Sequence, residues 1–466
     1  MHTDSSPKSI QMKMKMKMKM KRLVILLLLM MVLSNAEEDY NNNGVCKSNW
    51  PLTPRPHSVT VTEFGAIGDG KTLNTVAFQN AVFYLQSFSD KGGAQLYVPK
   101  GEWLTGCLIL TSHLTLFLEK DATILASEDY ESWDVVDPLP SYGSTLKLPS
   151  RRYRSLITGT NLTDVVITGN NGTIDGRGLV WWAQLNVGNL NHSRPHLVEL
   201  VGSDNIVVSN LTFLNAPAFN IHPVNCSKLL VQNITVYTPP DSPRTSGVVP
   251  DSSKHVCIES SNISVGYDAV VLKSGWDEYG ISYNESTSDV HVRKLRLRSS
   301  SGSSLAFGSE MSGGISGVIA EDLHMYESAI GIELKTAKGR GGYVKDVFVS
   351  NVSMENVRVG IKATGQCSSH PDNGYDPDAL PVVTEITLED IVGVNITLAG
   401  NLTGLDESPF APFCLMNVSF SVESSWVCAY VAGSSFDVTP EPCPELRNLS
   451  GCDVVFSRFD RQVAVL

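Results

Sequence analysis

The chain has 466 residues, 42% of them apolar and 18% charged, with a formal net charge of −12. That length can bury a sizeable core, and the balance is that of a globular protein rather than a disordered one. The acidic excess argues against nucleic acid or an anionic membrane as bulk-field partners, and a polyanionic ligand would need a locally basic groove.

Residues 1–36 read as a cleaved secretory signal. Lys13, Lys15, Lys17, Lys19, Lys21 and Arg22 form a basic start, Leu23 to Leu33 an apolar run, and Ser34-Asn35-Ala36 a small-residue cut site. Eleven apolar residues fall short of the roughly 18 to 20 that span a bilayer. Beyond residue 36 the chain holds 29 basic against 47 acidic residues, a net of −18. Thirteen Asn-X-Ser/Thr sequons, among them Asn161, Asn171, Asn210, Asn233, Asn351 and Asn448, agree with export. Nine cysteines should then form disulfides with one thiol left over, and spacing alone leaves the pairing open. No metal site is expected. There is no Cys-x-x-Cys, and Pro195 breaks the helix that would aim His192 and His196 at one ion.

Residues 37–55 are a polar lead-in, and residues 56–466 read as a single domain with a Cys-rich C-terminal end. Ser58 to Phe64 alternates like a strand, and a helix is expected from Asn74, its N-cap, to Leu85. Between them, Gly65 to Thr72 satisfies the phosphate-loop pattern G-x-x-x-x-G-K-T. The helix signals begin only after Thr72, so a Gly-rich turn is the better reading. From Gly93 onward a short apolar run recurs at Val165, Ile206, Leu229, His255, Val290, Val318, Val347 and Ile386, about 23 to 41 residues apart. Strands at that period, without helices, predict a β-solenoid whose coils bury one another, the early helix capping its open end. A two-sheet sandwich is the alternative, but it leaves the recurrent Asn-rich turns without a reason. Val180-Trp181-Trp182 and Gly275 to Ser286 interrupt the period and are expected to wall a groove. Thr245 to Gly275 is the centre of the chain: β-branched runs between tight turns, with Asp268 on the lip of a strand and Lys273 five residues on.

Thr173-Ile-Asp-Gly-Arg-Gly, Asp277-Glu-Tyr-Gly, Gly308-Ser-Glu-Met-Ser-Gly-Gly and Lys335-Thr-Ala-Lys-Gly-Arg-Gly-Gly-Tyr343 are long and specific. With them the chain, from about Val59 to Pro444, resembles the polygalacturonase family of glycoside hydrolases in its plant-type branch. The resemblance implies a right-handed parallel β-helix secreted to the plant cell wall, with pectin as its partner; a monomer is expected, with neither nucleic acid nor, after signal removal, membrane as partner. It also implies inverting hydrolysis of α-1,4-galacturonan without a cofactor. Such hydrolysis needs an acid and an opposing carboxylate about 6.5 to 9.5 Å apart.

The family's Asn-Thr-Asp falls on Arg244-Thr245-Ser246, so Ser246 stands where a carboxylate is expected. Its Asp-Asp pair falls on Tyr267-Asp268, its Arg-Ile-Lys on Glu333-Leu334-Lys335, and its Gly-His-Gly near Gly302-Ser303-Ser304. Asp268 is retained, Ser246 and Tyr267 are substituted acid/base positions, and Glu333 reverses the charge of a substrate-binding Arg. Lys335, Arg340, Lys273 and Arg244 are the cations expected to hold substrate. Bland readings compete: Asp268 as a turn cap, Lys335 and Arg340 as solvated charges, Tyr267 as a sugar platform. Three functions remain open. One is a hydrolase whose Asp268 has a new partner among Asp251, Asp241 and Glu310. The second is a pectin-binding or regulatory wall protein without catalysis, and the third a hydrolase or lyase retuned to another wall glycan, although no acidic calcium cluster of the lyase kind stands out.

Overall fold

Short Val, Ile and Leu runs separated by left-handed residues build the molecule. Asn161, Asn210, Asn233 and Asn351 all sit at φ between 50° and 55°, a region that Asn tolerates better than other side chains; the first three lie beside strand ends and Asn351 within the long strand Tyr343–Thr364. The computed structural model describes residue 46 and residues 54–143, 151–367 and 369–447. The signal segment, almost all of the lead-in, Asn448 and Cys452 lie outside the described residues.

Among the described residues twenty-eight strands join one continuous sheet, paired in parallel throughout, and Val135–Val136 with Arg152–Tyr153 forms a separate antiparallel pair. The sequence repeat is the stacking register. Val165, Ile206, Leu229, Val256, Val290, Val318, Val347, Ile386 and Phe413 stand directly above one another. None is more than 1% exposed, and burying each such side chain is worth about 1.5–3 kcal/mol. A one-residue slip would turn the whole ladder outward, so the ladder fixes the register. This is a parallel β-helix, not a sandwich.

Helix α1 (Thr75–Gln86) buries Phe78, Ala81, Val82 and Leu85 in the same core as the first coils. Asn74 occupies the N-cap position but makes no cap bond. Its side chain accepts from the Ile67 amide and donates to the Ile67, Thr72 and Leu104 carbonyls, tying down the Gly-rich turn. In that turn the Lys71 and Thr72 amides, 2.9 and 2.7 Å away, are taken by Asp69. An internal carboxylate thus occupies the donors that a phosphate loop would offer. Helix α2 (Leu179–Asn186) corrects another expectation: Trp181 packs edge-on to Tyr130, Trp133 and Tyr153 in the core rather than walling a groove. Helix α3 (Asp277–Tyr283) packs against the turn Pro140–Tyr142. No helix of the described residues is long and apolar enough to cross a membrane.

Cys46 bonds Cys257 and Cys428 bonds Cys443, and Cys414 is also disulfide-bonded. Among the described residues three thiols, Cys107, Cys226 and Cys367, are free, against the single leftover thiol expected. Cys107 and Cys226 are buried against the carbonyls of Arg154 and of Leu200 and Val224, and burial pushes their thiols up to about 11 and about 12. They act as small core residues.

Candidate functional site

One layer of the solenoid carries almost every residue of interest. Its strands are β1 (Val198–Val201), β2 (Phe219–Val224), β3 (Ser246–Val248), β4 (Val270–Leu272), β5 (Ser303–Phe307), β6 (Ile330–Lys335) and the latter part of β7 (Tyr343–Thr364). Val198, Ile221, Val248, Val270, Leu305, Ile332 and Ile361 stack in register toward the core. The residues one position on face the other way. That outward row runs from Glu199 and His222, through Val271 and Ala306, to Glu333 and Lys362. Its centre is apolar: Val249, Val271 and Ala306 are fully buried in a cluster of their own, with Phe219 packed against it.

Asp268 sits just before β4 and is 1% exposed. Lys335 Nζ donates to its Oδ2 at 2.7 Å and the Ser303 amide to its Oδ1 at 2.9 Å. Lys335 also lies 3.7 Å from Glu333, whose other oxygen accepts from Lys362 at 2.7 Å, and the Ser303 hydroxyl donates to Glu333 as well. Burial raises Glu333, but Lys335, Lys362 and Ser303 outweigh it and leave the carboxyl below its ordinary range. Burial lowers Lys335, yet Asp268 and Glu333 hold it well above a free lysine. Two anions and two cations therefore neutralise one another here. Tyr267 lies partly buried beside them, its ring 5.1 Å from Lys335. Lys335 pulls its phenol down, but burial and the carboxylates of Asp268 and Glu333 outweigh that, so it is a weaker acid than a free tyrosine. Ser246 is 1% exposed, its carbonyl accepting from Asn220. Arg244 and Asp241 are exposed.

The structure does not bring Arg340 to this group as an open cation. Arg340 is 0% exposed and paired with Asp277, while also donating to the carbonyls of Ser309 at 2.8 Å, Cys367 at 3.3 Å and Ser369 at 2.6 Å. Left-handed backbone and close packing explain its glycines: Gly342 and Gly339 sit at φ 59° and 86°, and a Cβ on Gly342 would lie 2.5 Å from the Met311 carbonyl, one on Gly339 2.4 Å from the Tyr375 ring. Lys273 is paired with Glu310. Burial raises Glu310, but Lys273 brings it down to about 2.

Sequence reading missed a second buried network. His222 lies 3.2 Å from Glu199 and 3.5 Å from Asp251, and Asp251 accepts from the Tyr142 hydroxyl. Burial lowers His222, but the two carboxylates outweigh it and raise it. Burial and the neighbouring His222 hold His196 far below an ordinary histidine. His196, Glu199 and His222 are close enough to share a cation, but Glu199 already carries Arg152, and His196 Nδ1 accepts from the Phe219 amide. The signal was available. Glu199 and His222 each interrupt an apolar run at the same offset, one coil apart.

The fold and site define a class: a β-helix with buried carboxylates and cations across the outer face of one strand layer. The chain belongs to the glycosyl hydrolases family 28, whose match spans residues 91–438. It is 48% identical over 400 residues to a probable polygalacturonase of Vitis vinifera, covering 85% of this chain and 82% of that one. Among solved structures it resembles an exopolygalacturonase from Thermotoga maritima, with a TM-score of 0.73 and 25% identity over 83% of this chain and 92% of that one. The polygalacturonase from Erwinia carotovora shares the fold at a TM-score of 0.67 and 24% identity, over 82% and 98%. The solenoid is thus a right-handed parallel β-helix.

Proposed function

We propose that this is a secreted, monomeric cell-wall protein that binds pectic glycan in the groove around Asp268 and Lys335, with hydrolysis impaired. One observation carries the reading. Asp268, the carboxylate retained of the three family positions, is buried and tied to Lys335 and to the Ser303 amide, while its partners are Ser246 and Tyr267. An inverting pair needs two opposed carboxyl groups, and losing a positioned acid or base costs about 10² to 10⁴ in rate. A phenol raised further by its surroundings does not replace a carboxylic acid.

The rewired-hydrolase reading has less support. Asp251 is committed to Tyr142 and His222, and Glu310 to Lys273. Of the expected substrate cations, Lys335 and Lys273 already hold internal anions, which leaves Arg244 as the exposed one. Export is supported by the basic and apolar start of the chain and by the exposed sequon residues Asn161, Asn171, Asn233 and Asn351.

Reducing-sugar release from polygalacturonan tests this directly, comparing wild type with the triple variant Ser246→Asp/Tyr267→Asp/Glu333→Arg. The expected outcome is little release by the wild type and a gain in the variant. Wild-type release at the rate of the bacterial relatives would end the reading.

A further inference from the structure

The cations around Asp268 are largely paired, with the exposed Arg244 the exception. Lys335 holds Asp268 at 2.7 Å, Lys362 holds Glu333 at 2.7 Å, and Lys273 is paired with Glu310, Arg340 with Asp277 and Lys338 with Glu407. Glu333 is central to this arrangement. Its carboxylate takes one lysine on each side together with the Ser303 hydroxyl, so it fills the place between two cations that an acidic sugar would otherwise seek. A carboxylate arriving on a ligand would meet Glu333 and Asp268 as like charges with no open cation between them.

The surface next to these residues suits an uncharged sugar. Lys335, Thr364 and Thr403 stand in register on successive coils. Immediately past that row, Ala337 and Lys338, Gly365 and Gln366, and Gly404 and Leu405 line a cavity of about 530 Å³. Its wall carries Tyr375, stacked on His370 with ring centroids 3.6 Å apart, and the half-exposed Tyr430. A flat ring backed by a second ring is a surface on which the C–H face of a pyranose packs, with Gln366 available for hydroxyls. The rim acids Asp406 and Glu407 are exposed, and Lys338 is paired with the latter, so the cavity is weakly anionic and repels acid sugars.

We propose that the groove and this adjoining cavity take an uncharged glycan chain, and that Glu333 is the residue that excludes the charged form. This rests on the reading of the groove as a glycan site and names the class of sugar. A galacturonan with its carboxyls methyl-esterified and a neutral pectic side chain share that chemistry.

Calorimetric titration of the full-length mature protein with three oligosaccharides provides the test: methyl-esterified oligogalacturonate, the same oligomer after de-esterification, and a neutral galactan oligomer. The wild type should bind an uncharged oligomer at least about tenfold more tightly than the acid, the order expected when one like charge is met in a partly buried site. Which of the two uncharged probes binds identifies the source. Glu333→Gln should shrink the preference mainly by strengthening binding of the acid, and Tyr375→Ala should weaken the uncharged probe. Tighter binding of the acid by the wild type, or an unchanged ratio in a folded Glu333→Gln, overturns the proposal while leaving the groove a glycan site. Binding of none of the three overturns the glycan-site reading itself and this proposal with it. Should Glu333→Gln fail to fold, the wild-type ratio alone decides.

Discussion

Two clusters of buried charge flank the same strands, and they are put together differently. Around Arg340 the pair with Asp277 is fully buried, further anchored by His370 at 2.7 Å from Asp277 and by the Ser369 carbonyl. It joins three separate pieces of chain: α3, the turn after β6 and the stretch that carries Cys367, Ser369 and His370. Around Asp268 the members come from neighbouring coils of one layer, and one of them, Lys362, keeps 31% of its side chain in solvent. The first cluster holds non-repeating chain onto the solenoid. The second sits on a scaffold that its core ladder already fixes, so its members are freer to be exchanged for function. The same residue types therefore serve assembly in one place and, under the proposal above, ligand selection in the other.

That contrast is broken most severely at Arg340. Arg340→Ala should destabilise by about 3–5 kcal/mol, because it leaves the Asp277 carboxylate buried without its cation. Arg340→Lys should recover only part, since one ammonium cannot reach a carboxylate and several carbonyls as a planar fork does. Denaturant unfolding gives the size of the loss, and amide exchange should show α3 loosening first. A loss below about 1 kcal/mol, the range of exposed pairs, would show that this cluster is not the anchor described.

A smaller effect is expected at Glu310. Its folded-state pKa of about 2 lies below the ordinary 4.5. A carboxyl lowered in this way stabilises the fold fully above its unfolded pKa, and that contribution is lost as pH falls toward the folded value. Wild type should therefore exceed Glu310→Gln by a constant margin above roughly pH 5, and the margin should close between 4.5 and about 2. Melting temperatures of both proteins across that range decide the matter. A margin that stays constant to the acid end would mean that the Lys273–Glu310 pair contributes nothing through its charge.

The core ladder was legible in the sequence because each coil repeats the same apolar run, and Val165 through Ile386 can be aligned by eye. The position of Asp268 before a strand was legible for the same reason. What the outward residues touch was not, because their partners lie a coil or more away and no local pattern names them. Arg340 shows why: its glycines look like a ligand loop, but they are required by left-handed backbone and by Met311 and Tyr375 packing close to it. Tyr142 is still less readable. It reaches Asp251 from a segment outside the repeat, 109 residues earlier in the chain. The capping role of Asn74 failed for a related reason, since four nearby backbone groups compete for one amide side chain.

The gentlest test of the contrast is Lys362→Ala. Its partner Glu333 keeps Lys335 and Ser303, and Lys362 is partly in solvent, so the loss should be no more than about 1 kcal/mol. Removing it also removes one of the interactions that lower Glu333, so that carboxyl should titrate higher in the variant. Salt then separates the two clusters. At ~1 M ionic strength the screening length is about 3 Å, which weakens exposed pairs and spares buried ones. The gap between wild type and Lys362→Ala should narrow in salt, while the gap to Arg340→Ala should not. If both gaps respond alike, the Asp268 cluster is as closed as the Arg340 cluster, and no ligand reaches Glu333 from solvent.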